Sequence, residues 1–159
     1  MRVGIGFDLH RFTKDRRLIL CGVEIPYEKG LLGHSDADAA LHALTDAILG
    51  AAGLPDIGIL FPDDDPRFKG AASKIFLKEA LRLIGEKGLY VYQVDLVLVL
   101  DQPKIAPYRE AMQANLSRWL KIPRDRVGLK AKTTEGLGFW GGEAVAAWAT
   151  AVLKDGSHA

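Results

Sequence analysis

The stretch from Ser35 to Ala52 narrows the possible folds more than any other part of the chain. Ala39, Ala40, Ala43, Leu44, Ala47, Ile48 and Ala51 recur there at helical spacing, which predicts a helix with one apolar face. Ser35 or Asp36 can cap its start, and Gly53 with Pro55 ends it. An apolar face of this kind must be buried against another layer, and the sequence supplies strands to build one. VYQVDLVLVL is the best of them, rich in Val and Leu and far shorter than the roughly 20 residues of a membrane span.

The opening VGIGFDLH reads as a strand that turns just after His10, with glycines that suggest close backbone packing. RLILCGVEIP reads as a short hairpin segment stopped by Pro26, and the proline- and carboxylate-rich PDIGILFPDDDPRFKG as a loop. A second helix is expected from about Ala71 to Lys87, closed by Gly88. DQPKIAP breaks the VYQVDLVLVL strand, a further helix runs to about Leu120, and RVGLKAKTT forms another strand leading into EGLGFWGG. EAVAAWATAVL is open between two readings, since alanine favours helix and a short apolar run fits a buried strand. With no internal repeat or long linker, residues 1–159 are expected to form one domain, an α/β or α+β sandwich with helices covering one face of a sheet.

The net charge is only +1 and charges of both signs are interspersed, which argues against nucleic acid as a partner. No apolar run suits a membrane. Cys21 is the single cysteine, so an intrachain disulfide is excluded, and its apolar neighbours suggest a buried structural thiol. Residues 1–10 show no signal-peptide pattern, so cytoplasm is the expected location.

Asp8 and His10 lie two apart, which in a strand points both side chains to one face. His42 lies on the Ser35–Ala52 helix, four residues before Asp46 and on the same side of it. Two imidazoles and a carboxylate suit Zn²⁺ or another borderline divalent ion, with a position left for water or substrate. Asp46 would then orient His42. The same donors serve non-haem Fe(II) oxygenases, but nothing in the chain resembles the co-substrate site those need. A structural zinc in a non-enzymatic scaffold usually takes four protein ligands, and only three are visible.

Other segments suggest phosphate handling. GHSDAD sets His34 and Ser35 at the expected start of the His42 helix, where free N–H groups favour an anion or serve a simple cap. KAKTTEG offers hydroxyls and N–H groups of Thr133 and Thr134, and Glu135 as a ligand for a second divalent ion. It also reads as an ordinary exit from a strand. The carboxylates of FPDDD repel a diphosphate unless a cation intervenes or they face sugar hydroxyls, and a solvated acidic loop fits them equally.

Together, GFDLHRF, IPYEKGLLGHSDADAALHALTDAILGAAGLPDIGILFPDDDP and KAKTTEGLGF resemble the 2-C-methyl-D-erythritol 2,4-cyclodiphosphate synthases, the ring-closing enzymes of the non-mevalonate isoprenoid pathway. The similarity is collinear over nearly the whole chain, and its central stretch is highly specific. It implies that 4-diphosphocytidyl-2-C-methyl-D-erythritol 2-phosphate is the substrate, its 2-phosphate attacking the β-phosphorus and CMP leaving. Asp8, His10 and His42 match the family's zinc ligands, and His34 and Thr133 match positions that stabilise the transition state.

Further site residues follow from the resemblance. Leu9 and Ser35 match substrate contacts beside the zinc ligands and His34. Asp56, Ile57 and Gly58, then Phe61, Pro62, Asp63, Asp64 and Asp65, match loops against the methylerythritol phosphate and ribose. Leu100, Asp101, Gln102, Pro103, Lys104, Ile105 and Ala106 match the segment around the cytidine. Lys132, Thr133, Thr134 and Glu135 match the segment around its diphosphate, with Phe139 as a further contact. Glu135 also matches the ligand of a second ion, Mg²⁺ or Mn²⁺. The resemblance further implies a mixed sheet of about four strands in a ferredoxin-like arrangement, with the last segment a strand. It also implies a homotrimer with active sites between subunits. Two departures stand out. Lys132 replaces a frequent threonine, and GFWGGEAV lacks the arginine of the usual GFTGRGEG, although Glu143 matches the neighbouring glutamate. That arginine is associated with an anion pocket on the trimer axis.

Overall fold

Strand β1 (Arg2–Thr13) sends alternate residues to opposite sides. Gly4, Gly6, Asp8 and His10 share the side that receives helix α1 (Ala39–Ala51), and Val3, Ile5, Phe7 and Leu9 share the other. The computed structural model describes residues 1–137 and 142–156. Its β1 continues past His10, where the sequence suggests a turn, because Phe12 and Thr13 pair with β4 (Gly30–Leu31).

The approach of α1 to β1 is set by missing side chains. A Cβ on Gly6 would stand 1.8 Å from the Ala43 carbonyl oxygen, and one on Gly4 2.0 Å from that of Ala47. Alanines 43, 47 and 51 answer the two glycines, so backbone packs almost directly on backbone. The helix starts later than Ser35 or Asp36 would start it. Ala37 has a left-handed φ of 56°, which interrupts helical geometry, and Asp38 is the cap, accepting from the Leu41 N–H at 3.0 Å. Asp38 is fully buried and also accepts from the Cys21 and Gly22 N–H groups at 3.0 and 2.7 Å. It thereby ties the hairpin of β2 (Leu18–Leu20) and β3 (Val23–Ile25) to the helix start. Burial and the nearby Asp36 charge push its carboxyl up to about 6, against the pull of those bonds. Cys21 is buried and its thiol is pushed up by burial, as a structural cysteine should be.

The acidic loop after α1 holds more order than its sequence suggests. Asp56 caps the one-turn helix α2 (Ile57–Leu60), and Asp65 caps a 3₁₀ turn over Pro66–Phe68. Helix α3 (Lys74–Glu86) then leads to β5 (Leu89–Val99), and α4 (Arg109–Leu120) to β6 (Val127–Lys132). The alanine-rich last segment is β7 (Ala144–Asp155), antiparallel to β1 on one side and to β5 on the other. A central position with a full ladder on both edges overrides alanine's helical preference.

The main sheet runs β4-β1-β7-β5-β6, five strands where about four were expected, β4 being the short extra edge. Its helices cover one face, and the buried side chains form one cluster. The crossover through α4 makes β5 and β6 parallel. The long elements therefore follow β-α-α-β-α-β-β, which departs from the β-α-β-β-α-β succession of a ferredoxin-like arrangement. Among the described residues no helix is long and apolar enough to cross a membrane.

Gly6→Ala should force α1 away from β1 and cost about 3 kcal/mol, a fall in Tm of roughly 6–12 °C by calorimetry. Gly85→Ala, where the added methyl meets nothing within 4 Å, should instead leave Tm unchanged or raise it.

Candidate functional site

Because β1 and α1 touch along their backbones, Asp8, His10 and His42 converge. The carboxylate oxygen Oδ2 of Asp8 lies 2.7 Å from Nε2 of His10 and 3.1 Å from Nδ1 of His42, and those two nitrogens are 3.2 Å apart. Donors on a tetrahedral ion with bonds of 2.0–2.1 Å stand about 3.3 Å from one another, so the trio matches one face of such a site. Among the described residues this is the one group of three or more metal-ligating side chains this close together. Each imidazole is also held from behind. His10 Nδ1 sits 2.8 Å from the Leu32 carbonyl, and His42 Nε2 2.8 Å from the Ser73 hydroxyl.

The charges are matched as well. Burial pushes the Asp8 carboxyl up, but the close imidazoles of His10 and His42 outweigh it and hold the group well below the usual carboxylate range. Burial pushes the His10 imidazole down, yet Asp8 prevails and holds it above its ordinary 6.5.

One pocket gathers most of the residues expected near the triad: His34, Ser35, Ile57, Gly58, Phe61 and Asp63 line it with Asp8, His10 and His42. Its far wall is aromatic, Phe61 and Phe76 lying 4.8 Å apart with Phe68 against both. His34 is fixed through Nε2, 2.9 Å from the Asp65 carbonyl. It does not stand on the helix N-terminus, because α1 starts five residues later and Asp38 takes up its free Leu41 N–H. Several expected contacts are engaged elsewhere. The Asp65 carboxylate pairs with Arg67, and Asp56 accepts from the Ile59 N–H. Leu9 belongs to the strand face turned away from α1. Pro62 and Asp64 are exposed on the same loop as Asp63. Asp46 accepts from the Ile57 N–H at 2.8 Å and so anchors α2, while Ser73 takes the outer nitrogen of His42 that Asp46 was expected to hold.

The remaining candidates form a separate group beyond the ends of β5 and β6. Leu100, Asp101, Pro103, Lys104, Ile105, Ala106, Lys132 and Thr133 line one hollow there, and Gln102 precedes Pro103 through a cis peptide bond. Asp101 accepts from the Thr134 N–H and hydroxyl at 2.8 and 2.9 Å, and Thr133 donates to Glu135 at 3.0 Å. Phe139 lies outside the described residues. Asp8, Ala147, Leu98 and Ala131 stand in one row across the sheet. The two groups are therefore level with each other but three strand spacings apart, about 14 Å.

Arg16 and Ser73 carry no sequence signal for the site, and Asp36 was expected only as a helix cap. Arg16 donates to the Gly33 and Ser35 carbonyls at 2.6 and 2.5 Å and fixes the loop that carries His34. None of the three belongs to a spacing pattern, so no local signal marks them.

The YgbB family model matches residues 1–154. A 2-C-methyl-D-erythritol 2,4-cyclodiphosphate synthase of Thermus thermophilus is 57% identical over 137 residues, covering 86% of this chain and 90% of its own length. The corresponding synthase of Desulforamulus reducens is 52% identical over 98% of this chain and 100% of its own. A solved structure of a 2C-methyl-D-erythritol-2,4-cyclodiphosphate synthase in a CDP-bound form superposes with a TM-score of 0.90 at 51% identity, covering 96% of this chain and 100% of that one.

In metal-free protein, the lowered Asp8 and raised His10 pKa values set a pH window. The Asp8 contribution is present above the ordinary 3.8 and lost as pH falls through its folded value. The His10 contribution is full below 6.5 and lost as pH rises through its folded value. Chelator-treated protein should therefore gain most from this pair between those limits, and Asp8→Asn should flatten the profile of Tm against pH.

Proposed function

Because the chain belongs to the YgbB family and its curated relatives are 2-C-methyl-D-erythritol 2,4-cyclodiphosphate synthases, we propose that it makes that cyclic diphosphate in isoprenoid precursor biosynthesis. The substrate is 4-diphosphocytidyl-2-C-methyl-D-erythritol 2-phosphate. An oxygen of its 2-phosphate bonds to the β-phosphorus, the bond from that phosphorus to the bridging oxygen breaks, and the electron pair leaves with CMP. The observation that carries this reading is the Asp8–His10–His42 trio set in the floor of a pocket lined by His34, Ser35 and Asp63.

The obstacle is repulsion between two anionic phosphates, worth several kcal/mol in a dry site. Two imidazoles and a carboxylate favour Zn²⁺, which when bound would polarise a phosphate oxygen as a Lewis acid. The chain's own residues supply the positioning. His34, whose Nε2–H donates to the Asp65 carbonyl, would as an imidazolium donate through Nδ1 to a phosphate oxygen as charge shifts in the transition state, and Thr133 would donate from the cytidine side. Asp63 would accept from sugar hydroxyls. The segment 100–106 would seat the cytidine, and Lys132 would add a cation near the diphosphate. Glu135 would hold Mg²⁺ or Mn²⁺ together with the phosphates. Attacker and target belong to one molecule, so freezing a reactive conformer is the main task. No side chain need be covalently modified.

We also read the working unit as a homotrimer. On the side of β1 away from α1, Val3, Ile5, Phe7 and Leu9 are 64%, 71%, 45% and 43% exposed, a stripe too apolar for a surface left open to water. Phe7 packs against Trp148 of β7 at 4.8 Å on the same face. In a trimer with active sites between subunits, the 100–106 and 132–135 group of one subunit would complete the Asp8–His10–His42 pocket of the next, which the separation of about 14 Å within one chain calls for. The CDP form of the solved relative supports a cytidine diphosphate substrate. A single, buried cysteine fits a reducing compartment, and we place the protein in the cytoplasm.

Incubation with the cytidyl substrate, zinc and magnesium should release CMP. His42→Ala should lower that release by at least about 100-fold and abolish stoichiometric zinc. Full activity with full zinc content would contradict the ligand assignment. Ile5→Lys should convert the trimer to monomer in light scattering and remove activity, while zinc stays bound.

A further inference from the structure

We infer that Ser73 and Asp36 are positioning residues for the divalent ion, acting through His42; the inference rests on the metal reading above. His42 Nε2 lies 2.8 Å from Ser73 Oγ, and the Ser73 hydroxyl in turn donates to Oδ1 of Asp36 in a short hydrogen bond. That bond consumes the only proton of the hydroxyl, so Oγ has only lone pairs to offer His42. Nε2 of His42 must then carry the proton, and Nδ1 presents its lone pair toward Asp8 and His10. The tautomer that can bind a metal is thus selected from behind the ring.

Three features mark this as a built arrangement rather than a chance contact. Ser73 is fully buried and occupies the N-cap position of α3, yet its side chain makes no capping bond and turns to His42. Both oxygens of Asp36 are committed to it or to the adjoining loop: Oδ2 accepts from the Ser73 N–H at 3.1 Å and Oδ1 from the Asp38 N–H at 3.1 Å. The two loops that carry the pair are laced together by backbone bonds, Asp36 N–H to the Ala71 carbonyl at 2.9 Å and Gly70 N–H to the His34 carbonyl at 2.8 Å. The Ser35 hydroxyl is more distant from Nε2, at 3.3 Å, and accepts from the Ala37 N–H. His10 is held by a neutral carbonyl, whereas a carboxylate stands behind the hydroxyl that holds His42. The negative charge makes Oγ a stronger acceptor for the His42 Nε2–H and so fixes the ring more firmly.

The test is competition titration of the chelator-stripped full-length protein with Zn²⁺, together with the visible spectrum of its Co²⁺ form and the Tm of the stripped protein. Ser73→Ala should weaken Zn²⁺ binding roughly 10–100-fold and alter the Co²⁺ bands, and Asp36→Asn should weaken binding by less. The double variant should bind within about twofold of Ser73→Ala alone, because the carboxylate reaches His42 only through the hydroxyl. Ser73→Thr, which keeps the hydroxyl, should restore most of the affinity. Unchanged affinity in Ser73→Ala and Asp36→Asn, or a lowered stripped-protein Tm as their sole effect, would overturn the inference while leaving the metal site in place. Failure of the parent protein itself to bind Zn²⁺ would remove the metal reading and this inference with it.

Discussion

Contact between the backbone of β1 and the backbone of α1 is the constraint from which the site follows. Two glycines on the strand and three alanines on the helix leave nothing between the two main chains. Asp8 and His10 continue the glycine face of the strand, and His42 stands one residue before Ala43, the helix residue closest to Gly6. At this separation short side chains can meet, and a carboxylate and two imidazoles come within 3.2 Å of each other without reaching. Buried Asp38 secures the other end of the assembly by gathering N–H groups from the hairpin and the helix start.

Around this centre the carboxylates divide into two kinds. Asp46, Asp56 and Asp65 serve the backbone, each accepting N–H groups that start a turn or helix. Asp8 faces two imidazoles, and Asp63 lines the open pocket. An acidic loop next to an anionic ligand would be self-defeating if every charge faced inward. Committing most of them to caps and to Arg67 leaves few to oppose it.

The alternation of β1 and the 3.6-residue period of α1 made the three donors legible, because both signals are local. Their meeting was not, since spacing carries no information about how closely two elements approach, and family resemblance supplied that step. The helix start was misplaced because a single positive φ at Ala37 has no sequence signature in an alanine. β7 was ambiguous because its strand state depends on partners more than a hundred residues away in β1. Ser73 and Asp36 escaped for the same reason, lying 31 and 6 positions from the histidine they serve in a contact made only by the folded chain.

The smooth junction between β1 and α1 also limits how the chain can change. In an ordinary core, bulk lost on one element can be made up by bulk gained on its neighbour, so sequences drift by compensating pairs. Here neither partner has volume to trade. A methyl added on the strand meets a backbone carbonyl oxygen, and no change to the alanine side chains makes room. Variation along this junction must proceed one residue at a time or not at all, and the geometry of the donors is preserved as a by-product of packing.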